Sequence, residues 1–318
     1  MPLGIISPRV IEELNQQLGH SRVLENHVLA PYTTFKIGGP ADAFFEAFTA
    51  NELASAIKIA RRLDVPFFVL GLGANILVGD KGFRGLVIRN AAADCSISED
   101  GVLTVESGAI VWPDVIRFTT QSGYSGLEHY AGIPSTIGGA LWQNLHFLSP
   151  APKRERTMFI DEVFLDAVVL DPANTRKEVF HEYFNFGYDE SILHHSGDIV
   201  LYARFQLIKA DPAQLEQTIV DNLAWRAERH PPLESEPSAG SIFKKIDGIG
   251  AGRLIDDAGL KGERIGDIEI TQRHANIMIN RGAGRASDVL AMIDRVKQAV
   301  KAHSGYSLET EIAFVGEF

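Results

Sequence analysis

The sequence predicts an α+β fold, and three observations carry that prediction. Up to residue 210, short apolar runs bounded by glycine or proline outnumber stretches with helical periodicity. At Asp211-Pro212 a capping carboxylate precedes a proline, the pattern of a helix start, and the domain boundary is placed there. The residues beyond read as a compact α/β unit. The 318 residues allow about two domains on length alone.

Taken in order, Val10 to Leu18 reads as a short amphipathic helix. Ala30 to Phe45 reads as strand on both sides of a Gly38-Gly39-Pro40 turn. Leu53, Ile57, Ala60 and Leu63 recur at helical spacing, with Asn51 placed to cap. Val65 to Leu70 reads as a buried strand running into Gly71-Leu72-Gly73-Ala74-Asn75, and Gly85 to Arg89 as the next strand. Gly101 to Glu106, Ala109 to Trp112, Glu162 to Leu170 and Ile199 to Ile208 also read as strands, and Pro113 to Gly123 as a helix. In the last third, a helix from Asp211 to about Arg229 precedes another around Gly252 to Ala258, ended by Gly259. A strand runs from Ile268 towards Asn280. A helix capped by Ser287 stops at Gly305, and Ser307 to Gly316 is a final strand.

Composition narrows the function. Hydrophobic residues make up 45% and charged residues 22%, enough apolar material for a sizeable core. A net charge of −11 argues against a general affinity for nucleic acid. An anionic ligand must then be met by local cations and backbone amides. The lone Cys95 allows no intrachain disulfide, and His194-His195 has no partner cluster at metal spacing, so no metal site is expected. The N-terminal residues do not read as a signal peptide and no apolar run spans a bilayer, so a cytoplasmic protein is expected.

Four stretches could carry chemistry. Gly71, Gly73, Ala74 and Asn75 follow a strand, where converging amides can hold a phosphate; a plain turn is the alternative. The third glycine and following helix of the dinucleotide fingerprint are missing. Gly132-Ile133-Pro134-Ser135-Thr136, with Gly138 and Gly139, combines small residues with two hydroxyls, though glycines that pack a helix would look the same. Two such loops together favour a cofactor containing a pyrophosphate. The turn Thr33 to Gly39, with Phe35, Gly38 and Gly39, would be a third wall. Pro237 to Lys245 sets Ser241 beside Lys244 and Lys245, a cationic spot in an acidic chain; a serine after Ala-Gly is otherwise a turn residue. On the last strand, alternation puts Leu308, Thr310, Ile312 and Phe314 on one face and Glu309 and Glu311 on the other. A carboxylate there is either solvated or lines a partly dry cleft, where it would hold a proton.

Together these stretches resemble the UDP-N-acetylenolpyruvoylglucosamine reductase family. The matching segments are Thr34 to Ala41, Gly71 to Val78 (with Leu77), Gly126 to Pro134 and Pro237 to Lys244, then Ala251 to Gly262, Arg273 to Asn276 and Leu308 to Ile312. They cover nearly the whole chain in the family's order. The resemblance implies a two-subdomain FAD-binding unit of the vanillyl-alcohol-oxidase type, residues 1–90 and 91–210, then a C-terminal α/β substrate-binding domain, 211–318. It implies FAD as cofactor, NADPH as hydride donor and UDP-N-acetylglucosamine enolpyruvate as acceptor, in the shorter subtype, and a monomer is expected. The product is UDP-N-acetylmuramate, a peptidoglycan precursor. The family's proton donor falls on Ser241 and its carboxylate on Glu311. Lys244 is expected to partner a substrate phosphate or Ser241, and Tyr188 to touch the substrate.

The chain also departs from that pattern. Phe186-Gly187-Tyr188-Asp189-Glu190-Ser191 stands where the family has tyrosine-arginine-x-serine, so Asp189 replaces a cation meant to face an enolate. Asn144-Leu145-His146-Phe147 replaces a small-residue stretch, the basic Lys153 to Arg156 follows, and Lys245-Ile246 replaces Asn-Pro. Either Arg154, Arg156 or Lys245 takes over the arginine's role, or the substrate differs. Two rival readings follow. One is a flavin oxidase or dehydrogenase of the same cofactor fold. The other is a non-catalytic sugar-nucleotide-binding relative.

Overall fold

The computed structural model describes residues 6–148, 150–151, 153–246 and 248–318. Three sheets organise it. The first has the order Leu24–Val28, Pro40–Ala47, Phe83–Asn90, Phe67–Leu70, with the last three strands parallel. Helices Pro8–Leu18 and Ala50–Arg62 cover it, burying Leu14, Leu53 and Ile57 against Phe45, Leu86 and Ile88. The second sheet is antiparallel throughout: Arg176–Phe180, Phe164–Leu170, Ile199–Gln206, Val102–Glu106, Cys95–Ile97. Its Leu170 and Leu201 join the first core, so the two sheets share apolar contacts.

The third sheet is antiparallel in the order Ser238–Ser241, Ile277–Asn280, Ile268–Ile270, Arg264–Ile265: the last three form a meander in chain order, and Ser238–Ser241 adds beside Ile277–Asn280. Helices Ala251–Asp257 and Ala286–Ser304 bury Leu254, Ile255, Val289, Ile293 and Val296 in its core. Phe35 and Leu77 from the N-terminal third complete that core. The helix Pro212–Arg229 is capped by the Asp211 carboxylate on the Ala213 amide, as the sequence predicts. Its Ile219, Leu223 and Trp225 lie on the core of the second sheet.

Several local expectations change. Ala30 to Ile37 is not a strand. A 3-10 turn at Ala30–Tyr32 and the Thr33 hydroxyl, shared with the carbonyls of Ala30 and Ile37, fold it into a knot of turns. Thr49, not Asn51, caps the second helix by accepting from the Glu52 amide, while Asn51 accepts from Arg176. The Ile268 to Asn280 stretch is two antiparallel strands, because Thr271 to Asn276 turns back. Ser287 does not cap the long C-terminal helix. The carboxylate of Asp80 takes the amides of Ala286 and Ser287 at 2.8 and 3.1 Å, supplying negative charge at the helix N-terminus from across the molecule. The last strand is confined to Ala313–Val315, which pairs in parallel with Ile76–Val78. Phe314 is therefore exposed, rather than buried with Leu308 and Ile312.

Candidate active site

Three of the four stretches meet at one place. The Thr34 hydroxyl donates to the carbonyl of Ser238 at 2.7 Å, and the Thr34 amide donates to Gly73 at 3.3 Å. The first turn therefore touches both the Gly71 loop and the strand that ends at Ser241. A methyl group on Gly71 would come 2.8 Å from the Thr136 hydroxyl, so the Gly132 loop leans on the same place. A methyl on Gly73, whose φ is +59°, would meet Thr33 Cα and the Tyr32 carbonyl at 2.9 Å. These glycines let the loops close on one another, which is a more direct use than room for a ligand.

The amides of Gly73, Ala74 and Asn75 have no hydrogen-bond acceptor among the described residues, and neither do those of Gly132, Ser135 and Thr136. Other expected amides are already committed. Ile133 donates to Tyr130, Ile137 to Ala109, Gly138 to Ser107 and Gly139 to the Thr136 hydroxyl. The Ser135 hydroxyl donates to the Thr136 carbonyl. Gly39 donates to Gly79, and a methyl there would lie 2.2 Å from the Asp80 carbonyl. A methyl on Gly38 would lie 2.9 Å from Val78. The side chains of Phe35 and Leu77 are spent in the core, so neither lines a cleft. Pro134 is half-buried and has no amide to offer.

Arg226 is a residue that sequence reasoning missed. Its Cδ and Nε would stand 3.1 Å from a methyl on Gly132. Among the described residues it has no carboxylate partner, and desolvation lowers its pKa to about 10. A cation desolvated against a small-residue loop with unspent amides fits an anionic group such as a pyrophosphate. No local marker separates Arg226 from the other cations in the sequence.

The frame around Ser241 is built from backbone. Glu311 donates its amide to the Ile242 carbonyl at 2.8 Å, and Lys244 donates to the Glu309 carbonyl at 2.9 Å. The serine strand and the terminal segment thus lie side by side. Asn276 clamps this frame. Its side chain accepts from the Phe243 amide at 3.0 Å and donates to the Phe243 carbonyl at 2.8 Å, and its carbonyl accepts from Ile242. In the same stretch, His274 accepts from the Asn276 amide at 3.3 Å and faces His230 with ring centroids 5.6 Å apart. Gly240, at φ +74°, lets the strand bulge before Ser241. The Ser241 hydroxyl and the Glu311 carboxyl make no hydrogen bond among the described residues, and both are half-buried.

Burial, then the negative charge of Asp189, raise the Glu311 pKa to about 7, while Lys244 and Lys245 pull it back. Asp189 from the second sheet's region is therefore electrically close to the terminal strand. It sits at φ +55°, with the His146 ring 3.8 Å away. Asn144, through its side-chain amide, holds the Gly187 carbonyl at 3.0 Å and so fixes the Gly187–Glu190 turn. Tyr188 packs on His146, centroids 4.5 Å apart, and the Lys245 ammonium lies 4.7 Å over the Tyr188 ring. Arg154 is elsewhere. Its guanidinium lies between Phe147 and Trp225, 5.9 and 5.3 Å from their centroids. Arg156 spans both oxygens of Glu162 at 2.8 and 2.9 Å.

Two family models match. Residues 231–315 match the C-terminal domain of UDP-N-acetylenolpyruvoylglucosamine reductase, and residues 41–151 match an FAD-binding domain. The reductase of Agathobacter rectalis is 35% identical over 97% of this chain and 98% of its own length. That of Rubrobacter xylanophilus is 38% identical over 91% and 94%. The chain belongs to the UDP-N-acetylenolpyruvoylglucosamine reductase family. The crystal structure of the Thermus caldophilus reductase superposes with a TM-score of 0.73 at 31% identity, covering 92% of this chain and 98% of that one. The family's architecture, an FAD-binding unit followed by its C-terminal domain, accounts for the α+β pattern. The chain is an FAD-dependent oxidoreductase of peptidoglycan precursor synthesis, with NADPH as reductant. No described helix is long and apolar enough to cross a membrane.

Proposed function

We propose that the enzyme reduces UDP-N-acetylglucosamine enolpyruvate to UDP-N-acetylmuramate with Ser241 as proton donor and Glu311 as the acid beside the developing charge. One observation carries this reading: an uncommitted hydroxyl and an uncommitted, desolvated carboxyl stand on two backbone-paired segments, next to the loops with unspent amides. Gly73, Ala74, Asn75 and Arg226 hold the FAD pyrophosphate, with Gly71, Gly132 and Thr136 shaping the cradle. FAD, when bound, carries hydride from NADPH to the outer carbon of the enolpyruvyl double bond.

The remaining steps belong to the chain. As hydride arrives, the electron pair moves toward the inner carbon and into the substrate carboxylate. Glu311, raised to about 7 and so protonated in a large share of molecules at neutral pH, donates a hydrogen bond there from its neutral form and so acts mainly in the transition state. The Ser241 hydroxyl delivers a proton to the inner carbon and is later reprotonated from water. Net, one C=C bond is reduced and NADPH becomes NADP⁺. Lys244, exposed and tied by its own amide to Glu309, meets a substrate phosphate. Tyr188, 48% exposed, covers the carboxylate end.

We further assign residues 1–90 and 91–210 to the FAD-binding unit and 211–318 to the substrate domain, with Pro212–Arg229 as the connecting helix. A monomer in the cytoplasm, where NADPH and sugar nucleotides are available, completes the reading. The test is anaerobic. The purified yellow protein is reduced with NADPH, the enolpyruvyl sugar nucleotide is added, and the flavin absorbance is followed. Return of the oxidised spectrum is expected. A protein that takes up no FAD, or whose flavin stays bleached, overturns the reading.

A further inference from the structure

The charge at position 189 is reversed from what an enolate-facing residue requires, so a cation must come from elsewhere. Three basic residues near the departing stretches are available by sequence, and geometry separates them. Arg156 is tied to Glu162, one guanidinium nitrogen donating to both carboxylate oxygens. Arg154 is half-buried between two aromatic rings and donates to the Asp221 carbonyl at 3.4 Å, on the helix Pro212–Arg229. Lys245 has no carboxylate within salt-bridge distance among the described residues. Its ammonium rests on the ring of Tyr188, the residue next to Asp189.

The backbone explains why Lys245 reaches this spot. The Ser241 strand continues through the Phe243–Thr310 bridge, which carries 244 and 245 beyond Glu311 toward the Gly187–Glu190 turn. Tyr188 is itself positioned by His146 on one side and by the turn that Asn144 holds on the other. A ring under the ammonium limits where it can go while leaving its hydrogens free for an anion. Asp189 then has a compatible role: it supports the proton on Glu311 and does not compete for Lys245 by direct contact.

We propose that Lys245, held on the Tyr188 ring, is the cation that binds the substrate carboxylate and stabilises the charge that develops there. This rests on the enolpyruvyl reduction proposed above. A lysine is a point charge and lacks the forked geometry of an arginine, so it accepts the carboxylate in more than one orientation. Specificity at this end then comes from charge more than from paired hydrogen bonds.

The experiment measures flavin reoxidation in NADPH-reduced enzyme, comparing the natural substrate with an analogue whose carboxylate is a carboxamide. Wild type is expected to prefer the carboxylate strongly. Lys245→Met should slow reoxidation by the carboxylate about a hundredfold and lose most of that preference. Lys245→Arg should keep both. The FAD spectrum and thermal midpoint of each variant verify the fold. If Lys245→Met stays within about threefold of wild type, or slows both substrates equally, Lys245 does not face the carboxylate and the inference is overturned alone. If the wild-type flavin is not reoxidised by the carboxylate substrate at all, the reading of the reaction falls with it.

Discussion

At Gly39 an added methyl would lie 2.2 Å from the Asp80 carbonyl, while the Lys245 ammonium rests 4.7 Å above a ring that is 48% exposed. On the function proposed above, these two places represent the two halves of the site. The cofactor side is held by backbone against backbone, through close glycine approaches and shared amides. The substrate-carboxylate side is held by side-chain charges on turns. The first kind of contact tolerates no substitution, whereas the second tolerates a charge moving from one loop to another. The stretches that read as departures from the family pattern, 144–156, 186–191 and 245–246, fall on the second kind of contact and outside the glycine loops.

The largest effect should come where the two halves meet. Ser241→Ala is expected to slow flavin reoxidation by the substrate about a thousandfold, with FAD content unchanged. Stopped-flow mixing under anaerobic conditions measures it directly. A loss below about tenfold would move the proton donor elsewhere.

Next in size is a test of the backbone half. Gly39→Ala forces the Asp80 carbonyl away, and Asp80 also caps the helix Ala286–Ser304. A destabilisation of about 2–4 kcal/mol is expected, read by chemical denaturation and by release of FAD. Gly240→Ala is the contrast. There the space is open and only a positive φ resists, so about 1 kcal/mol is expected. Equal costs would break the distinction drawn between packed and merely bent glycines.

The charge half is tested by pH. The Glu311 carboxyl, raised to about 7 by burial and then by Asp189, is neutral below that value and ionises above it. If the neutral acid is the working form, reoxidation is flat at low pH and falls as pH rises through about 7. Stability follows the same sign. A raised carboxyl contributes fully below its ordinary value of 4.5 and loses that contribution as pH climbs through the folded value. Asp189→Asn removes a neighbouring negative charge, so the break in rate should move to lower pH. A profile that does not respond would mean that Asp189 is electrically remote from the reaction.

Much of this arrangement could be read from the chain, and the rest fails for a common reason. Ser241, Glu311 and the glycine loops stand in runs whose local composition is unusual. The Asp211 cap is likewise a local signal. What escaped notice acts at a distance. Asp80 caps a helix 206 residues away, Asn276 clamps a segment 33 residues away, and Thr34 reaches the Ser238 carbonyl across 204. Phe35 and Leu77 lie in conspicuous stretches but serve a core that only the C-terminal helices complete. The terminal strand is shorter than its alternation from Leu308 to Phe314 suggests, because a continuous ladder forms only at Ala313–Val315 and Thr310 makes a single isolated bridge to Phe243.

Arg226 offers the smallest expected effect. It is one of 30 basic residues, and nothing beside it in sequence distinguishes it. Its desolvation costs stability unless an anion arrives, since burial alone depresses its pKa and no carboxylate offsets this among the described residues. Arg226→Met keeps the apolar stem against Gly132 and removes the charge. FAD affinity, measured by quenching of flavin fluorescence on titrating the apoprotein, should weaken about tenfold. The salt dependence of binding should fall with it, because one phosphate contact is lost. The apoprotein itself should become slightly more stable, since a desolvated cation with no carboxylate partner among the described residues, set only over the Phe147 ring at 5.7 Å, has been removed. Weaker FAD binding together with a less stable apoprotein would instead make Arg226 a packing residue, and the cradle would then rest on the amides of Gly73, Ala74 and Asn75 alone.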